Sequence, residues 1–300
     1  MKIVIAGGSG FIGAEVTRLL LQEGHEVIIL TRRARKSDGR LSYVEWLHGE
    51  AFPEKKIGTA DAFINLAGVS INGGRWTQEH QHRIYDSRMT ATDELLRIIH
   101  ALPKRPTVLV NASAIGIYPA SETAVYTEQS EEVAYDFLGR TVMDWEKKAE
   151  SVEEIGVRVV FTRFGVVLGK EEGALPLMVL PYRLFAGGRV GSGKQWLSWI
   201  HVADVARSIV FSITHEEIRG PVNITSPNPE SMDDFGRTIG ETLKRPHWLP
   251  APSFAIKLAL GKKSALVLEG QHVLPEVLQK NGFTFKFPTL TSALQNLMQK

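Results

Sequence analysis

"AGGSGFIGAEV", residues 6–16, follows the short β-branched run "KIVIA" (2–6) and opens a segment with apolar residues at helical spacing. Its glycines stand as Gly7-x-x-Gly10-x-x-Gly13. Between a strand and a helix each has a task. Gly7 permits the tight turn, Gly10 lets the backbone approach a pyrophosphate, and Gly13 allows close helix–strand packing. Phe11 and Ile12 begin the helix, whose free N–H groups and partial positive charge favour an anion. No Gly-Lys-Ser/Thr follows, which disfavours a triphosphate loop. The helix is expected to stop at Gly24, and "EVIILT" (26–31) to form the next strand. This strand–turn–helix–strand order predicts a bound dinucleotide.

The end of that second strand selects which one. A chain built for NAD places a carboxylate there to hold both ribose hydroxyls. Here the stretch reads "LTRRARK" (30–36), and Asp38 lies too far along. A 2′-phosphate instead suits a hydroxyl and guanidinium forks. NADP is therefore expected, with Thr31 and Arg32 as contacts and Arg33 or Arg35 in reserve; a solvated basic loop is the alternative.

The alternation continues. "DAFINLAG" (61–68), "PTVLVNAS" (106–113) and "VRVVFTRFG" (157–165) read as buried strands, and the stretches 77–102 and 136–156 as helices. The pattern predicts an α/β fold, a Rossmann-type doubly wound parallel sheet with a smaller C-terminal α/β substrate lobe. Residues 1–168 are assigned to the dinucleotide domain, with parts of 199–226 returning to it, and 169–300 to the lobe and a C-terminal extension. Net charge is +2 from 35 basic and 33 acidic residues, so no global field draws nucleic acid or membrane. Zero cysteines exclude disulfides, zinc–thiolate sites and a cysteine nucleophile. No signal peptide or long apolar run is evident, and no acid or histidine cluster has metal-ligand spacing. The expectation is a cytoplasmic protein with a small-molecule substrate, no metal, no nucleic acid and no membrane partner; a homodimer is compatible.

Several strings carry a resemblance: "NLAGVSINGGRWT" (65–77), "SRMTATDELL" (87–96), "NASAIGIY" (111–118), "GSGKQWLSWIHVADVA" (191–206), "NITSPNP" (223–229) and "LEGQHVLP" (268–275). Together they resemble the YfcH-like branch of the extended short-chain dehydrogenases/reductases, within the NAD-dependent epimerase/dehydratase superfamily. The resemblance implies that Leu66, Ala67 and Gly68 lie against the adenosine and ribose side of the cofactor. It implies that Ser87 and Arg88 face the cofactor, and that Arg163 precedes a loop at its nicotinamide end. Ser113 matches a serine that hydrogen-bonds the reacting oxygen.

The family's proton relay is a tyrosine followed one helical turn later by a lysine that lowers the phenol's pKa. This chain lacks it. The corresponding pair reads as Asp136 with Arg140 or, one residue earlier, Tyr135 with Gly139. Tyr118 is the foremost replacement, with Tyr85, Tyr126 and His201 behind it. Trp196 and Trp199 are expected to wall an apolar ligand. Two readings follow: an NADP-dependent oxidoreductase or epimerase on a carbonyl or alcohol, a sugar nucleotide being one candidate, and a catalytically silent NADP-binding regulatory or redox-sensing protein.

Overall fold

Strands buried on both faces of a parallel sheet read as continuous apolar runs, and the first half of the chain is built from such runs. The computed structural model describes residues 1–33 and 35–298. Among these, seven strands form one parallel sheet: β1 (Lys2–Ala6), β2 (Glu26–Thr31), β3 (Leu41–Glu45), β4 (Ala62–Asn65), β5 (Val108–Ala114), β6 (Arg158–Phe164) and β7 (Gly220–Ile224). Their spatial order is β7-β6-β5-β4-β1-β2-β3. Ile3 is the register residue, opposite Val27 on one side and Ala62 on the other. The order reverses beside β1, and the crevice at the carboxyl ends of β1 and β4 is where such sheets take ligands.

Side chains alternate between two helix layers. Ile3 and Ile5 join Val27 and Ile29 under α1 (Phe11–Gln22) and α5 (Val202–Thr214). Val4 and Ala6 join Ile28 and Phe63 under α2 (Gln78–Ala101) and α3 (Phe137–Glu150). Thr77 caps α2 by accepting the His80 N–H at 3.2 Å. The sequence pattern had left out β3. Only Val44 of its five residues is buried, so this edge strand carries no apolar run to recognise.

The second hydrophobic centre joins α4 (Leu175–Arg183), α6 (Met232–Leu243) and α8 (Leu290–Met298) around Trp199, Phe235 and Leu294. Helix α7 (Ser253–Leu260) buries none of its residues. Both α5 and β7 belong to the main sheet unit, so the chain returns there after building part of the lobe.

The motif "WIHVADVA" ties the two units together. Asp204, fully buried, accepts the backbone N–H groups of Lys286 and Phe287, each at 2.8 Å. His201 caps α5: its Nδ1 accepts the Ala203 N–H at 3.0 Å, its Nε2 donates to Asn296 Oδ1 at 3.1 Å, and its ring stacks on Phe287. These partners require the neutral ring, and burial holds its pKa below the ordinary 6.5, against the opposing pull of the Asn296 hydrogen bond and of Asp204 and Glu15. A depressed histidine pKa contributes stability above pH 6.5 that is lost as pH falls through the folded value. Melting temperature should therefore drop between pH 7 and pH 5, and drop less in His201→Asn, which keeps a capping oxygen but does not titrate. Identical pH profiles for the two chains would show that His201 is not the titrating clip.

Candidate active site

The turn after β1 is sterically closed on its inner side and open on its outer side. Gly7 has φ +80°, and a Cβ there would lie 2.6 Å from the Leu66 carbonyl. A Cβ on Gly13 would lie 2.2 Å from the Gly7 carbonyl oxygen. Gly10 differs: it is exposed, its N–H closes the turn onto Gly7 O at 3.0 Å, and a Cβ would meet only that oxygen, at 3.4 Å. No side chain caps α1, and its first turn holds no acid. The free N–H groups of that turn thus face outward with no competing anion, which fits a pyrophosphate. Ile12 packs into the core beneath, while the Phe11 ring fills the space beside Gly169 and Gly173, where a Cβ would come within 2.4 and 3.0 Å of it.

Past β2, the Thr31 hydroxyl accepts the Arg33 N–H at 3.3 Å and donates to the Arg33 carbonyl at 3.1 Å. Thr31 therefore shapes the turn. Arg32 and Arg33 are exposed and make no ion pair among the described residues. Arg35 lies over the Tyr43 ring, 5.7 Å from its centroid. Asp38 is held in a bridge with Leu41, away from the strand end. Two unneutralised guanidinium groups beyond a strand end without a carboxylate fit a 2′-phosphate.

After β4, the Leu66 N–H donates to Ala6 O at 2.8 Å and carries the chain across the end of β1. Ser87 and Arg88 clamp the next turn. The Val69 N–H donates to Ser87 Oγ at 3.0 Å, and Arg88 Nη1 donates to Val69 O at 3.1 Å and Ile84 O at 2.8 Å. The guanidinium lies behind Gly68 and over Trp145, and burial without a carboxylate pulls its pKa down to about 10. The arginine expected to face the cofactor thus braces the turn at Gly68 and Val69.

Ser113, Tyr118 and Arg163 lie together, but not as the sequence suggests. Ser113 is buried, and its Oγ donates to Glu146 Oε1 at 2.5 Å. Arg163 forks onto the same carboxylate, Nε to Oε1 at 2.9 Å and Nη2 to Oε2 at 2.8 Å. Its Nη1 donates to the Tyr118 hydroxyl at 2.8 Å, and that hydroxyl lies 3.0 Å from both Asn223 Oδ1 and the Thr127 carbonyl. Tyr118 is 1% exposed; burial raises its pKa and outweighs the Arg163 charge, which acts the other way. Both hydroxyls are engaged inside the fold, and three of the Arg163 guanidinium nitrogens are spent on Glu146 and Tyr118. Burial alone would lower the Arg163 pKa, yet Glu146 outweighs it and the net shift is upward, so the guanidinium stays charged. Glu146 escaped the sequence reading. The signal was Arg163 itself, a charge inside the apolar strand "VRVVFTRFG" that needs a buried acid.

The first turn of α3 explains "YDFLGR". Asp136 is the N-cap, accepting the Gly139 N–H at 2.8 Å, and does not pair with Arg140. Gly139 is required because a Cβ would lie 2.1 Å from the Ala134 carbonyl oxygen. Tyr135 is 79% exposed. The i, i+4 positions turned toward the loop after β5 are Leu138, against Gly116, and Val142, in the cluster with Ile115 and Tyr118. No proton donor stands at either. Trp199 is core, fully buried with its Nε1 donating to Asn228 O; Trp196 lies against His272, the two rings tilted at 34° with centroids 4.1 Å apart. Among the described residues no acid, histidine or cysteine group has metal-binding geometry.

A doubly wound sheet with a glycine turn at its switch point, a clamped loop after β4 and a small lobe above defines a dinucleotide-binding protein of the short-chain dehydrogenase/reductase type. Comparison narrows this. Residues 3–225 match the model of the NAD dependent epimerase/dehydratase family, and residues 251–297 match a domain of unknown function, DUF1731. The chain belongs to that epimerase/dehydratase family. Among its relatives, epimerase family protein YfhF of Bacillus subtilis is 46% identical over 99% of this chain and 98% of its own. An epimerase family protein of Staphylococcus saprophyticus is 42% identical, covering 98% of each chain. The crystal structure of human epimerase family protein SDR39U1 with NADPH superposes with a TM-score of 0.87 at 31% identity, covering 99% of both chains. A nucleoside-diphosphate sugar epimerase from Corynebacterium glutamicum matches with a TM-score of 0.78 at 28% identity, over 99% of this chain and 58% of that one.

Proposed function

We propose that this chain is an NADPH-binding member of the family in which the serine–tyrosine–lysine proton relay is not built. Gly7, Gly10 and Gly13 with the start of α1 hold the pyrophosphate, Arg32 and Arg33 the 2′-phosphate, and Leu66 to Gly68 the ribose side. The nicotinamide supplies hydride chemistry when bound. The chain's own residues bind and orient it; the Ser113 and Tyr118 hydroxyls are bonded inside the fold, while Tyr85, only half-buried, donates its hydroxyl to Asp144 Oδ2 at 3.0 Å. The observation that carries the reading is the closed network in which Glu146 and Arg163 engage both the Ser113 and the Tyr118 hydroxyl. The relative crystallised with NADPH supports the choice of cofactor.

The test is calorimetric titration with NADPH, followed by a carbonyl library screened for NADPH oxidation. Expected are saturable NADPH binding and an oxidation background that Ser113→Ala and Tyr118→Phe leave unchanged while lowering the melting temperature. Turnover abolished by Tyr118→Phe at unchanged melting temperature would overturn the proposal. The second reading, an oxidoreductase or epimerase acting on a carbonyl or alcohol, draws on the family and on the 28% identical sugar epimerase. It predicts turnover that survives both substitutions, with water in place of the phenol.

A further inference from the structure

Among the described residues thirteen large apolar side chains are exposed, and eight of them fall in two segments of the small lobe, 175–191 and 244–263. Leu177 and Leu180 on α4 and Leu184 at its C-cap recur at i, i+3 and i+7 and so share one side of the helix. Phe185 follows directly, and its carbonyl accepts Trp248 Nε1–H at 2.9 Å. Trp248 and Leu249 donate their backbone N–H groups to Gly187 O, and Ala251 donates to Arg189 O, forming a ribbon that leads into α7. There Phe254 and Leu258, 75% and 82% exposed, stand one turn apart. Six of the eight residues of α7, "SFAIKLAL", are apolar, yet none is buried. The chain connections make these side chains one arc across the lobe.

The charge of this arc is lopsided. The whole chain is nearly balanced, with 35 basic and 33 acidic residues, but the two segments hold seven lysines and arginines and no acid. None of the seven is in an ion pair among the described residues, and Arg245 lies over the exposed Phe185 ring, 4.3 Å from its centroid. We propose that this face seats on an anionic lipid bilayer surface. Apolar side chains with tryptophan and a cationic rim are what binds a helix in the plane of such a surface, with lysine stems such as Lys257 reaching the headgroups. A second copy of the chain is disfavoured, because a symmetric contact would set the same unneutralised cations against one another. Low net charge does not oppose the proposal, since only charges within a Debye length of the surface act on it.

The test uses the full chain with vesicles of phosphatidylcholine alone or with about one third phosphatidylglycerol, read by co-flotation. Binding to the anionic vesicles at least tenfold tighter than to the neutral ones is expected, weakening in high salt. Phe254→Glu with Leu258→Glu should abolish it at unchanged melting temperature, because both side chains are already exposed. No flotation of the wild-type chain, or flotation indifferent to the substitutions or to lipid charge, overturns the proposal. So does a light-scattering mass showing a dimer, or a complex with an acidic protein, that the same two substitutions dissolve while flotation persists.

Discussion

Arg163→Ala is expected to destabilise the chain by about 3–5 kcal/mol, the usual result of removing one member of a buried ion pair. Arg163 and Glu146 side chains are 9% and 11% exposed, so the carboxylate left behind would find little water. The loss goes beyond one pair. Ser113 donates to the same carboxylate, and the Tyr118 hydroxyl would lose the charged donor that it accepts from. In a chain of this size the melting temperature should fall by roughly 10 °C. Replacing both partners, Arg163→Met with Glu146→Gln, should recover much of the loss, since no uncompensated charge remains. NADPH affinity measured well below the new midpoint should change little. An Arg163→Ala chain as stable as the wild type, but with NADPH binding lost, would instead restore Arg163 to the cofactor and dismantle the network argument.

The same residues mark where sequence reading stops. The glycine turn and the strands β1, β2, β4, β5 and β6 were legible because local sterics and apolar runs dictate them. The face to which a residue turns was not. A parallel strand covered on both sides has no polar–apolar alternation to reveal its inward register, so Ser113 was legible as a serine at a strand end but not as a donor to α3. A one-residue shift in a strand reverses the side chain's face. Likewise "YDFLGR" was read for catalysis by spacing, when Asp136 caps a helix and Gly139 admits the Ala134 backbone. Those roles depend on a neighbour that sequence distance does not disclose. Trp199 shows the opposite error: an aromatic beside a glycine turn suggested a ligand wall, but long-range packing buries it completely.

Arg32→Ala is expected to weaken NADPH binding about tenfold, and Arg32→Ala with Arg33→Ala about a hundredfold, with NADH affinity nearly unchanged. A charge-assisted hydrogen bond is worth about 1.5–3 kcal/mol, and 1.4 kcal/mol is a factor of ten; exposure of these arginines places each near the low end. The gap between the two cofactors should narrow as salt rises, because solvent-exposed charges are screened. Arg35→Ala should matter less, since that guanidinium already lies over Tyr43. A gain-of-function variant sharpens the test. Thr31→Asp keeps an oxygen able to accept the Arg33 N–H, so the turn should persist, while it sets a carboxylate at the end of β2. That carboxylate would hold the ribose hydroxyls of NADH and repel a 2′-phosphate, so preference should swing toward NADH. Equal affinities for the two cofactors in the wild-type chain, or a preference untouched by Arg32→Ala, Arg33→Ala and Thr31→Asp, would mean that the arginines past β2 are solvated surface and that the phosphate is held elsewhere.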